Sequence, residues 1–450
     1  MSGNPLIVET PLGDVKIPFS EEAILSLARR IVKENDGEAT LFDEDVMAFF
    51  DLNSQDETES EWSFWEDTRV PVKIYDMIKW FNKDFTILDT SGYSLSKKKM
   101  TNIQYHQFNY PHGKEKKPIR ATYFLIHNSS GIKYVVDFNP IDGLHMEVQI
   151  VYQPEIGTAE RFNEEFDEYS ATYGILKGAV VNAKLQFIKL EEVGWDDIVL
   201  SQDQQKMLDR NIVRYIKNLP LYAEKNLPTS RGCLITGPPG TGKTLTCSAI
   251  MNQVESSVIY ITSDEVGERG QISELYEVAR KISPTIVIVE DIDTLGAIDR
   301  TANGDHPLLG EFLNCLGGAV DNKGVITIAT TNYPEYLDKA LTDRPGRFDF
   351  RIDFGLPDKE LRTHIIDKYL QSVKHGKVKA SDLSRDTEGM TGAHLKEMVM
   401  MAYMDALEES NYNTKTEITQ KHLVSAIKTI VTNRAKYAFY NGNDDPAFTQ

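Results

Sequence analysis

Cationic charge is what this sequence has too little of. Its 450 residues carry 49 Lys and Arg against 68 Asp and Glu, a formal charge of -19 with a pI near 5.0. Coating duplex nucleic acid draws on dense positive charge and counterion release, so this average surface repels a phosphate backbone unless lysines are concentrated locally. Cysteine is scarce too. Cys233, Cys247 and Cys315 are odd in number, far apart and set among apolar or small residues, which argues against a disulfide scaffold or a zinc site and fits reduced, buried thiols. The nine histidines are scattered and form no HExxH pair, so zinc hydrolase chemistry lacks its ligand spacing. No stretch approaches the roughly 18 apolar residues of a membrane span. The opening MSGNPLIVETPLGD has no basic run leading into an apolar segment, the pattern a leader would show. The expectation is a soluble protein of the cytoplasm or another reducing intracellular compartment, with no membrane insertion.

Apolar residues make up 41% of the chain, with 29 Gly and 18 Pro, enough for ordinary cores in about three domains. Residues 17 to 36 carry apolar positions at helical spacing after Ser20, with Glu22 close behind for the helix start. Acidic residues crowd 51 to 67 around Trp62, Phe64 and Trp65, which reads as a solvated loop packing a few aromatics, or else an acidic partner-binding patch. From about 118 the period becomes two, and PIRATYFLIHN, IKYVVDFNP and HMEVQIVYQP read as consecutive strands of an antiparallel sheet. A helix is expected over 160 to 174, and VVNAKLQFIKL, ending at Leu190, as one more strand. Lys97, Lys98, Lys99, Lys114, Lys116 and Lys117, with Tyr105, Phe108 and Tyr110 between them, form a solvated loop or a site that holds phosphates and stacks bases.

The second half is more specific. An apolar strand, RGCLIT, runs into Gly237-Pro238-Pro239-Gly240-Thr241-Gly242-Lys243-Thr244 and then a helical stretch beginning with Leu245, the context of a phosphate-binding loop. Glycines at 237, 240 and 242 let successive amides turn toward a phosphate, Lys243 reaches the β- and γ-phosphates, and Thr244 offers a hydroxyl to Mg²⁺. Some forty residues on, four consecutive apolar residues from Ile286 to Val289 end in Glu290-Asp291-Ile292-Asp293, a strand buried on both faces delivering carboxylates beside a triphosphate. By position Glu290 organises the Mg²⁺ shell, through water, while Asp291 polarises the attacking water; the one-methylene difference leaves exchanged roles open. A third apolar strand ends at Asn332, which orients the lytic water or senses the γ-phosphate. Arg344 and Arg347 follow, separated by a rigid Pro-Gly; guanidinium groups at a domain edge would neutralise phosphoryl charge in a neighbouring subunit, which implies a ring or head-to-tail array.

Together these residues resemble the AAA+ ATPases of the AAA clade, over roughly 191 to 432. The resemblance implies an α/β P-loop NTPase core with a C-terminal helical lid, preceded by an α+β N-terminal region. It divides the chain into a recognition region, 1–190, a large ATPase domain, 191–355, and a small helical domain with tail, 356–450. It further implies ATP and Mg²⁺ as cofactors, adenine contacts from Asp197, Ile198 and Val199, nucleotide contacts from Gly237 through Leu245, and Asn332 as sensor. Arg344 and Arg347 would be fingers acting in trans in a ring that is usually hexameric. No arginine stands in the second sensor region, so Ala393 and His394 would line the adenine or ribose side. The Glu290-Asp291 order and the LYAEKNLP lead-in are similar to the Bcs1-type branch, without that branch's membrane span. The loop ITSDEVGERG lacks the aromatic-hydrophobic pair with which unfoldases of the family grip polypeptide, leaving Val266-Gly267 as its only candidate tip, and the approach to Arg344 is one residue longer than usual.

The expected function is ATP hydrolysis coupled to remodelling, disassembly or translocation of a protein or protein complex, bound through residues 1–190 by a homo-oligomer. Two alternatives stay open: a nucleic-acid-associated ATPase such as a loader, using the lysine-rich segment, and a nucleotide-controlled assembly scaffold.

Overall fold

The structure is a computed structural model that describes residues 6–10, 13–17, 46, 48–51, 58–66, 70–91, 93–94, 99–100, 103–110, 113–140, 145–295, 307–317, 321–334, 348–413 and 415–441. The chain forms two compact units, Met1–Ser170 and Ala171–Gln450.

In the first unit an antiparallel sheet runs in the order Glu59–Glu66, His145–Tyr152, Lys133–Pro140, Gly113–His127, Phe85–Ser91. The three strands expected from the two-residue period are neighbours, with Phe138 paired to both Ala121 and Val148. Lys133–Pro140 is buried at Tyr134 through Asn139, on both faces. On one side Val135 packs with Phe50, Phe124 and Val151. On the other Tyr134 and Phe138 meet Phe162 and Phe81, the first pair at 5.0 Å between ring centroids. Trp80 of the helix Val70–Asp84 joins them edge-on, 4.8 Å from Phe85 and 4.9 Å from Phe162 of the helix Ala159–Tyr173. Such edge-to-face pairs add about 0.5–1.5 kcal/mol each beyond area burial.

Two expectations change here. The acidic stretch is no loop beyond Glu59: Glu59–Glu66 is a strand paired along eight residues with His145–Tyr152. Aromatic residues at two-residue spacing, Trp62 and Phe64, and a complete ladder outweigh the local charge. The lysine-rich stretch is likewise a hairpin, with Gln104–Tyr110 paired to the first half of Gly113–His127. Glu115 neutralises Lys117 at 2.9 Å and Lys79 at 3.2 Å, while Lys114, Lys116 and Tyr105 are exposed. Lys97 and Lys98 and the helix expected over 17 to 36, apart from Ile17, lie outside the described residues.

The second unit is built on a parallel sheet in the order Val180–Asn182, Ser257–Ile261, Thr285–Val289, Val325–Thr331, Arg231–Thr236, Phe350–Asp353. VVNAKLQFIKL therefore adds a three-residue edge strand to this sheet and none to the antiparallel one. Thr285–Val289 and Val325–Thr331 are buried at every position, as a sheet covered on both faces requires. Four C-terminal helices, Lys359–Gln371, Ala380–Leu383, Gly392–Glu409 and Gln420–Asn441, pack as a lid around Ile366, Leu395, Met398, Ala402 and Ile427. The Asp358 carboxylate caps the first of them by accepting from Leu361 N–H. Parallel pairing brings the C-terminal ends of the central strands, Thr236, Val289 and Thr331, to one edge, where ligands of open α/β sheets bind.

Trp80→Ala is expected to destabilise the first unit by about 3–5 kcal/mol, because a fully buried ring of this size leaves a cavity. Denaturant unfolding followed by aromatic fluorescence and circular dichroism checks it.

Candidate nucleotide site

The loop leaving Arg231–Thr236 takes its shape from glycine. Gly237 has φ +146°, and a β-carbon there would lie 2.2 Å from the Phe354 carbonyl oxygen. Gly240 has φ +78°, and a β-carbon would meet Ala393 Cβ at 2.8 Å and Thr391 Oγ1 at 2.9 Å. Both conformations disfavour any side chain before space is considered. Within the loop Thr241 Oγ1 donates to the Pro238 carbonyl at 2.9 Å, Pro239 is exposed, and Gly242 precedes the helix Lys243–Gln253. Thr244 is exposed on the first turn, and Leu245 packs against the buried core.

Lys243 is the centre of this arrangement. Its buried ammonium donates to the Gly237 carbonyl at 2.8 Å, the Pro238 carbonyl at 3.0 Å and Asn332 Oδ1 at 2.7 Å. Burial pulls its pKa down, opposed by the carboxylates of Asp291, Asp293 and Glu290. Asn332 Nδ2 in turn donates to Asp291 Oδ1 at 2.9 Å, so one amide joins the ammonium to the carboxylate. Asp291 stands at φ +47°, with its N–H given to Thr330 Oγ1 at 3.0 Å; a non-glycine residue held there costs about 1–3 kcal/mol, a strain found where side-chain aim matters. Burial and then the neighbouring Asp293 charge raise the Asp291 pKa, with Lys243 and Asn332 opposing. Glu290 Oε1 is buried and has no hydrogen-bond partner among the described residues.

The sequence alone missed Asp293. Its Oδ1 accepts from Thr331 Oγ1 at 2.6 Å and from Asn332 N–H at 3.4 Å, fixing the strand tip that carries Asn332. The available signal was spacing, since Asp293 stands two residues after Asp291 and follows the same strand end.

The other expected residues are placed as follows. Ile198 is buried in the core beneath the parallel sheet, and Val199 packs on the lid core. Asp197 accepts from Gly194 N–H at 2.9 Å and lies 3.7 Å from Lys368 of the lid. Ala393 N–H donates to the Gly240 carbonyl at 3.0 Å, which joins lid to phosphate loop. His394 belongs to the capping of Gly392–Glu409: its Nδ1 accepts from Thr391 N–H at 3.2 Å and lies 2.9 Å from Thr391 Oγ1. Burial and then the Arg434 charge lower its pKa. Arg344 and Arg347 lie outside the described residues. In the loop after Ser257–Ile261, Val266 is 4% exposed, Glu265 accepts from Asn182 Nδ2 at 2.8 Å, and Gln271 accepts from the N–H groups of Gly267 and Glu268. Within this chain the loop therefore turns its one apolar side chain inward instead of presenting it as a tip. Cys233 and Cys247 are fully buried with thiol pKa values pushed up by that burial, as expected of unreactive thiols.

These residues fit a magnesium nucleotide. The glycine-shaped loop leaves amides and a cation for phosphate, and the orphaned Glu290 oxygen with exposed Thr244 supplies hard oxygen donors for a metal's waters.

Residues 233–356 match the family described as ATPase family associated with various cellular activities (AAA). The proteasome-activating nucleotidase of Pyrococcus abyssi is 32% identical over 262 residues, 56% of this chain and 65% of that protein. That of Saccharolobus solfataricus is 32% identical over 264 residues, 56% of this chain and 66% of the relative. The ATP-dependent zinc metalloprotease YME1 homolog of Caenorhabditis elegans is 32% identical over 246 residues, 52% of this chain and 33% of the relative. The matches thus span less than two thirds of these proteins' lengths.

Gly240→Ala is expected to weaken ADP binding about tenfold, since its β-carbon would meet Ala393 Cβ at 2.8 Å and Thr391 Oγ1 at 2.9 Å and shift the loop, an overpacking cost of about 1–3 kcal/mol. Gly389→Ala is the control: its φ is +73° but a β-carbon there meets nothing within 4 Å, so ADP affinity should hold. Equilibrium titration with a fluorescent ADP checks both.

Proposed function

We propose that this chain, whose residues 233–356 match the AAA ATPase family, hydrolyses ATP with Mg²⁺ in a ring-shaped homo-oligomer, a hexamer, and uses the cycle to remodel a protein or protein complex. The observation that carries the chemistry is the line Lys243–Asn332–Asp291, with the unpartnered Glu290 oxygen beside it. Lys243 exchanges its loop carbonyls for β- and γ-phosphate oxygens. Asn332 and Asp291 hold the attacking water, and Asp291 accepts its proton; a carboxyl whose pKa burial has raised is better suited to that task than a solvated one. Glu290, through water, and Thr244 hold Mg²⁺, which when bound neutralises charge developing on the phosphates. Arg344 and Arg347 reach the site of the neighbouring subunit.

The protein-directed reading draws on likeness to proteins named as proteasome-activating nucleotidases and on the large N-terminal region, residues 1–190, as the client or adaptor surface. The Glu290-Asp291 order supports a Bcs1-like motor. A nucleic-acid-associated ATPase is the competing reading, favoured by exposed Lys114, Lys116 and Tyr105 on one hairpin.

Asp291→Asn should retain ATP binding while turnover falls by about 100-fold or more, the scale of a lost general base. The same variant, held in its ATP state, should retain protein clients in affinity capture. Unchanged phosphate release refutes the role of Asp291, and turnover stimulated by single-stranded nucleic acid but by no captured protein favours the competing reading.

A further inference from the structure

Glu290 is the longer carboxylate at a position where the shorter one is usual, and an extra methylene adds a rotatable bond that something must hold. Tyr260 is placed to hold it. In the parallel pairing of Ser257–Ile261 with Thr285–Val289, Tyr260 stands opposite Ile288. Side chains two residues apart along a strand share a face, so Glu290 leaves the sheet on the side Tyr260 occupies. The Glu290 N–H is itself bonded to the Ile261 carbonyl at 2.9 Å, which carries the two strands' alignment past the last paired residue. The Tyr260 ring packs on the core that contains Cys247, and Cys247 lies one helical turn beyond Thr244, on the same face of the phosphate-loop helix. Tyr260 and Glu290 thus share the side of the sheet on which the core around Cys247 of the phosphate-loop helix packs. A tyrosine hydroxyl is a hydrogen-bond donor, and Tyr260 is half-buried on the face of the sheet that Glu290 shares.

We propose that Tyr260 is a positioning residue for the magnesium site: its hydroxyl donates to the Glu290 carboxylate and holds that side chain so that Oε1, buried and otherwise unpartnered, remains available to a metal-bound water. This rests on the reading of the site as a magnesium nucleotide site. It explains how a Glu can serve there: the rotatable bond that its extra methylene adds is held by a clamp from the adjacent strand.

The test is binding, separate from turnover. Fluorescent ADP is titrated into the full-length protein with Mg²⁺ and, in parallel, with EDTA. Tyr260→Phe keeps the ring and removes only the hydroxyl. It should weaken binding about tenfold with Mg²⁺ and by less than about twofold with EDTA, the scale of one hydrogen bond to a charged group. In a Glu290→Asp background, whose carboxylate falls short of the hydroxyl, Tyr260→Phe should change Mg²⁺-dependent affinity by less than about twofold. Equal losses with and without metal, equal losses in both backgrounds, or no loss at all each overturn the proposal. If the unsubstituted protein binds ADP equally with Mg²⁺ and EDTA, the magnesium reading fails and this inference falls with it.

Discussion

A buried ammonium has to be paired, and the Lys243 side chain is where this molecule meets that demand. Leaving such a charge without partners costs several kcal/mol. Three oxygens answer it here: two carbonyls of its own loop and the side chain of Asn332. Phosphate oxygens would be stronger partners because they are charged, and on the function proposed above the lysine passes from its loop to a nucleotide. The glycine conformations at 237 and 240, the parallel sheet that ends at Thr236 and Thr331, and the tilt of Asn332 toward Asp291 are all conditions for that exchange.

The same loop is also where the lid is attached. Gly240 accepts from Ala393 N–H and has room for Thr391 only because it lacks a β-carbon. The first turn of Gly392–Glu409 has a donor in need of an acceptor, and the phosphate loop supplies it. Ile198 and Val199 make a second connection, one side chain in each core, and Lys368 pins the adjoining turn through Asp197. Phosphate loop, entry segment and lid therefore share a small set of contacts around the nucleotide position.

Much of this was legible before any coordinates. The strand, glycine-rich turn and helix around Gly237 to Thr244 were legible because they occur in immediate succession, and the structure has all three. Val148, Phe138 and Ala121 fall in neighbouring strands because their segments keep a strict two-residue period. The C-terminal helical lid was implied by the family resemblance, and its core gathers around Leu395 and Ile427. Glu59–Glu66 was hidden because charge dominates its composition, while the ladder that holds it is a property of its partner strand. VVNAKLQFIKL was read as one more strand without a partner, because the three residues that pair, Val180–Asn182, carry too little pattern to name one. Asp293 was missed since its role lies in accepting from Thr331 and Asn332, a contact between strands that lie far apart in sequence. His394 was expected to line the adenine or ribose side, and its Nδ1 is engaged with its own helix cap.

The central claim is that Lys243 trades loop carbonyls for phosphate while Asn332 keeps hold of Asp291. A crystal structure with Mg²⁺ and a non-hydrolysable ATP analogue tests it most directly. The account predicts Lys243 Nζ within hydrogen-bond distance of β- and γ-phosphate oxygens, released from Gly237 and Pro238, with Asn332 and Asp291 still bonded beside the γ-phosphate. A nucleotide bound elsewhere, or bound here with Lys243 still on its own loop carbonyls, would contradict it.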